Sequence, residues 1–132
     1  MDLESRDNRK KMGPKRLLNS FKYAIEGFFY TVKNEQNMVI HLLVTMIVIV
    51  GGIFFKISLL EWLVCLLFIG LVIGTELLNT AIEAAIDLTC PDKNSLAKVA
   101  KDTAAAAVMV FALAALIAGI IIFLPKIIEL LK

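Results

Sequence analysis

Apolar residues in this chain gather into three long blocks, Met38 to Phe55, Ile57 to Ile86 with interruptions, and Thr103 to Leu124. Each is as long as the roughly 17–25 residues that a helix needs to cross a bilayer core. Three spans are predicted, at about residues 36–55, 59–87 and 101–124. Ahead of them Leu17, Leu18, Phe21, Ile25, Phe28, Phe29 and Val32 recur three or four residues apart, with Arg16, Lys22, Glu26 and Lys33 between them. That spacing predicts an amphipathic helix over residues 14–34, of the kind that lies at a membrane surface. Gly13-Pro14 marks its start. Residues 1–13 are charged and without apolar period, and read as a disordered basic leader drawn to anionic headgroups. Residues 14–132 then form a single membrane domain. The short connection from Lys56 to Ser58 makes the first two spans antiparallel neighbours. Pro91 is expected to stop the second span ahead of a loop over Leu88 to Ala100, and Pro125 to end the third. The predicted fold is all-α, an integral membrane protein with an N-terminal surface helix and three transmembrane helices.

Composition strengthens this reading. Of the 132 residues 59% are apolar, and the mean hydropathy is +0.81, beyond the range of a water-soluble domain. A cleaved signal peptide is not expected, because the first apolar block follows 37 largely polar residues and lacks a small-residue cleavage pattern. The net charge of +2 matters less than its placement. Eight of the fourteen basic residues precede the first span, three lie in the second connection and only Lys56 lies in the first. The positive-inside rule therefore puts the N-terminus and the second connection in the cytoplasm of a plasma-membrane protein. Cys65 falls within a span and Cys90 in a connection, too far apart for a disulfide.

The second span changes character over Thr75 to Asp87, where the sequence reads TELLNTAIEAAID. Glu76, Asn79, Glu83 and Asp87 stand at i, i+3, i+7 and i+11, along one helical stripe. A carboxylate at membrane depth costs roughly 2.5–3.5 kcal/mol and nearly always faces a bundle interior or an aqueous cavity. Lys101-Asp102 returns to the same level at the start of the third span, and Glu35 stands at the mouth of the first. Carboxylates with an amide and a lysine suit a hard divalent ion such as Mg²⁺ shared with substrate phosphates, and lysine supplies a point charge for phosphate. Zinc-type His/Cys spacing, a phosphate-binding glycine loop and a nucleophile elbow are absent from the sequence, and no nucleic-acid partner is expected. A purely structural role for Glu76 and Glu83, as polar contacts between spans, is the plain alternative. His41 reads as a packing histidine outside the site, and Arg16 and Tyr23 read by default as interfacial anchors.

The segment ELLNTAIEAAID over 76–87, followed by AKVAKD over 97–102, resembles the signature of the prokaryotic diacylglycerol kinase family, which includes undecaprenol kinases. SFKYAIEG and KNEQNMVIHL are more similar to that undecaprenol-kinase branch. The resemblance runs from Arg16 to Leu124. It implies a homotrimer with active sites between protomers, and an ATP- and Mg²⁺-dependent lipid kinase. By position it implies Glu76 as general base, Asn79 as the residue orienting base or acceptor, and Glu35 and Glu83 as metal ligands beside ATP. Arg16, Tyr23, Lys101 and Asp102 fall on nucleotide-contact positions. Asp92-Lys93-Asn94 departs from the acidic-aromatic-His sequence common in relatives, so adenosine contacts there are not carried over. The expected reaction is transfer of the γ-phosphate of ATP to undecaprenol. Diacylglycerol is the alternative acceptor, and a non-enzymatic regulator or ion conduit the alternative of a different class.

Overall fold

The computed structural model describes residues 13–90, 92 and 94–132, and contains four helices. The leader expected over 1–13 lies, but for Gly13, outside the described residues, as do Pro91 and Lys93. Two compact units divide the chain between Asn34 and Glu35. Helix α1, Pro14–Asn34, belongs to the first. Proline at its first position fits because that N–H would lack a helical partner anyway, and the Gly13 carbonyl accepts from the Arg16 N–H at 3.0 Å.

The second unit holds α2 (Gln36–Phe54), α3 (Leu59–Thr89) and α4 (Ser95–Leu130). All three are long and apolar enough to cross a membrane. Most of their large apolar side chains point outward, Ile47 and Leu59 with 70% and 77% of their surface exposed. In water such a surface would drive aggregation; against lipid tails it is the matching exterior. The α3 and α4 helices pack extensively on each other and α2 more lightly on α3.

At about 1.5 Å per residue α3 is about 46 Å long and α4 about 54 Å. Both overshoot a hydrocarbon core of about 30 Å. α3 runs two residues past its expected end, while α4 is longer than the sequence pattern predicts at both ends, and the difference has identifiable causes. At one end the Asn94 side chain accepts from the Leu96 and Ala97 N–H groups and starts α4 at Ser95, while Cys90 caps α3 after Thr89. The connection expected over Leu88 to Ala100 is thereby cut to a few residues. At the other end Pro125 does not terminate α4, which continues to Leu130. Proline removes its own N–H bond to the preceding turn and crowds the carbonyl four residues earlier, costs tolerated in membrane helices when packing holds the chain. Here Ile122 and Phe123 pack with Ile57, Cys65 and Trp62, and Lys126 Nζ reaches Glu61 Oε1 at 3.0 Å.

Glu61 does double duty. Its Oε2 accepts from the Ser58 N–H at 2.6 Å while Ser58 Oγ accepts from the Glu61 N–H at 3.3 Å, a capping box that starts α3. The preceding turn is tight enough to hold Lys56 at φ 50, a conformation uncommon for a residue with a Cβ. Next to it α2 and α3 approach so closely that a Cβ added at Gly52 would lie 2.7 Å from the Trp62 ring. Gly52→Ala is therefore expected to destabilise the bundle by about 1–3 kcal/mol through overpacking, read as a lower thermal midpoint in detergent. Trp62→Phe should cost less in that background than in the wild type, since it removes the clashing atoms.

Candidate functional site

The last turns of α3 carry polar groups into the bundle. Glu76 is 1% exposed, Asn79 and Thr80 are buried, Glu83 is half-buried and Asp87 exposed. Thr80 Oγ donates back to the Glu76 carbonyl at 3.1 Å, as hydroxyls within helices commonly do. It therefore leaves the Glu76 carboxylate alone: neither oxygen has a hydrogen-bond partner, and neither has Asn79 Oδ1. Asn79 Nδ2 instead donates to Glu83 Oε1 at 3.0 Å. That bond, from one turn to the next, fixes the Glu83 side chain and turns the amide oxygen away from it.

Glu35 stands before the first turn of α2 with extended backbone, φ −110 and ψ 115, and its side chain makes no capping bond. Its charge and that of Glu83 both act on Glu76. Three carboxylates from two helices thus share one end of the bundle. Among the described residues no three acidic, His or Cys side chains close on one point as a metal cage. An all-oxygen donor set with unsatisfied oxygens, incomplete on its own, fits a hard cation that keeps water or phosphate in its remaining positions.

Glu76 and Asn79 line a cavity of about 220 Å³ together with Asn37, His41, Ala105 and Met109. Asn37 and His41 were not expected in the site. They stand four residues apart on α2 and so share a face; that spacing of two polar side chains at the mouth of an apolar span was the available signal.

Lys101 lies in the second turn of α4, with Nζ 2.5 Å from Asp87 Oδ1, so the end of α3 and the start of α4 are joined by charge. Asp102 is paired with Lys98 on its own helix. Neither Lys101 nor Asp102 lines the Glu76 cavity. Arg16 is exposed and Tyr23 half-buried on α1, in the unit that ends at Asn34.

Comparison with known proteins gives the family. The family model for prokaryotic diacylglycerol kinase matches residues 22–123. The chain is 40% identical to an undecaprenol kinase of Bacillus subtilis (strain 168) over 124 residues, 94% of this chain and 99% of that one. It is 38% identical to a diacylglycerol kinase of Synechocystis over 127 residues, covering 96% of this chain and 72% of the relative. To a diacylglycerol kinase of Haemophilus influenzae it is 30% identical over 101 residues, 76% and 86% of the two chains. With the family model covering α2, α3 and most of α4, and these relatives matched over most of their length, the chain belongs to the prokaryotic diacylglycerol kinase family.

Proposed function

We propose that this chain, a lipid kinase by its family, transfers the γ-phosphate of ATP to the hydroxyl of undecaprenol. The observation that carries the chemistry is Glu76, a carboxylate buried to 1% exposure whose two oxygens are both without a hydrogen-bond partner. A group in that state is expensive as structure and useful as a base. Phosphoryl transfer asks little covalent work of a protein and much positioning. Glu76 accepts the proton of the lipid hydroxyl as its oxygen attacks the γ-phosphate. Asn79 holds Glu83 in place through its amide N–H. Glu83 and Glu35 serve as ligands for Mg²⁺, which when bound neutralises the phosphate charge that develops during transfer. Lys101 supplies a phosphate-directed charge once released from Asp87, and Asp102, Arg16 and Tyr23 serve as further nucleotide contacts.

Depth supports the assignment. Glu76 stands seventeen residues beyond Leu59, about 26 Å along α3. A bilayer core of about 30 Å entered at Leu59 puts it just inside the far interface, where a membrane-dissolved alcohol meets aqueous ATP. The basic N-terminal segment makes that interface cytoplasmic. In this reading α1 lies along it, residues 14–132 form one kinase domain, and three copies assemble so that active sites form between neighbours.

The undecaprenol kinase relative, matched over 99% of its length, favours undecaprenol. Diacylglycerol is the second reading, favoured by the Synechocystis and Haemophilus influenzae relatives. Purified protein given both lipids in mixed micelles with radiolabelled ATP is expected to show the higher kcat/KM on undecaprenol, and a preference for diacylglycerol would reverse the assignment. In the same assay Glu76→Gln is expected to lower kcat by about 10²–10⁴-fold with ATP affinity retained, whereas Glu83→Gln weakens Mg-ATP binding as well. Equal losses in both parameters for both variants would undo the division of roles. Orientation is checked with a membrane-impermeant maleimide: Cys90, at the end of α3, should label in inverted vesicles and not in intact cells, while buried Cys65 labels in neither.

A further inference from the structure

A second cavity of about 360 Å³ lies between α2, α3 and α4, walled by aliphatic and aromatic side chains such as Val48, Phe68 and Phe123 and by the small residues Ala115 and Gly119. It meets the Glu76 cavity: Ile40, His41 and Ala112 line both. Together the two voids follow α4 from Ala105 to Phe123, about 27 Å of helix, most of the thickness of a bilayer core. One end is polar, with Glu76, Asn37 and Asn79 in its wall, and the remainder is mostly apolar.

We propose that the joined voids are a channel for the single prenyl chain of the acceptor, with His41 at the neck as the residue that binds and aims its hydroxyl. The inference rests on the lipid-kinase reading and adds to it the feature that selects the acceptor. A hydroxyl has one proton to donate and two lone pairs. With the proton on Glu76 and one lone pair accepting the imidazole N–H, the second lone pair remains for the γ-phosphate. His41 is the only histidine in the chain, it is half-buried, and no hydrogen bond among the described residues engages its ring, so the imidazole is available.

The channel also discriminates. A prenol carries no polar atom besides its hydroxyl, and its chain can pass Ile40 and Ala112 without loss. A diacylglycerol carries two esters beside its hydroxyl; with the His41 N–H taken by that hydroxyl, Ile40 and Ala112 offer the ester carbonyls no side-chain donor at the neck, and burial without hydrogen bonds is unfavourable. Two acyl chains would also have to share a passage whose small residues stand on one helix.

The test uses the full chain in micelles with Mg-ATP. The acceptors are undecaprenol, farnesol and diacylglycerol, and a photolabelling farnesol carries a diazirine on its last isoprene unit. Ala112→Phe should lower kcat/KM for both prenols more than tenfold with KM for ATP unchanged. His41→Ala should lower kcat on prenols at least tenfold, and His41→Asn or His41→Gln, which keep an N–H donor, should restore a substantial part of it. The photolabel should mark the α4 segment from Ala112 to Phe123 in the wild type and lose that mark in Ala112→Phe. Labelling confined to outward residues such as Leu43, Ile47 or Ile117, and unchanged by Ala112→Phe, overturns the channel. Equal losses in all three His41 variants overturn its role. A wild type that labels on α4 yet phosphorylates no prenol leaves the channel standing and removes the undecaprenol reading instead, so the two fail separately.

Discussion

Glu76 is a carboxylate placed inside a helix bundle whose exterior is made for lipid, and the bundle gives it no partner. A soluble protein can leave such a group to water, and an ordinary membrane protein would replace it with leucine. Keeping it requires that α3 be held rigidly enough for the acidic stripe to face inward. Were it turned by half a revolution, two or three carboxylates would be driven toward hydrocarbon. Much of the remaining structure acts as the restraint that prevents this rotation. The α4 helix covers α3 along its length, the Asp87–Lys101 pair ties the two at the acidic end, and the Glu61–Lys126 pair ties them at the other.

The two ends of the bundle divide their labour. Around Ile57, Trp62 and Ile122 the packing is close, with Gly52 letting α2 approach the indole ring, while from Cys65 onward a void opens between the helices. Toward Glu76 the helices separate and leave space, and polar side chains line it. A tightly packed end that fixes helix register and an open end that admits reactants is a workable solution for a small protein with few residues to spare for a scaffold.

The membrane class, the number of helices and the bounds of α1 and α2 were legible in the sequence to within a residue or two, because each rests on long runs of hydropathy or on a Gly-Pro start that nothing elsewhere in the chain overrides. The two ends of α4 were not. Local rules make Pro125 a stop, and they do not register that Phe123 and Lys126 are anchored to residues more than sixty positions earlier. The acidic stripe was legible from spacing and from its likeness to a known signature. The place of Asn37 and His41 in the cavity wall was not, since it depends on which face of α2 meets α3. His41 in particular reads as packing until the void beside it is visible.

The two cross-helix ion pairs have a further consequence. On α4 their lysines, Lys101 and Lys126, stand about 38 Å apart along the axis. A core of about 30 Å fits between them with both pairs among the headgroups. In a membrane thickened by several ångströms one pair would sink toward the acyl chains unless the whole bundle straightened, and in a thin one the bundle would lean. The spacing of the two pairs would thus couple the thickness of the host membrane to the tilt at which the acidic end meets the aqueous phase.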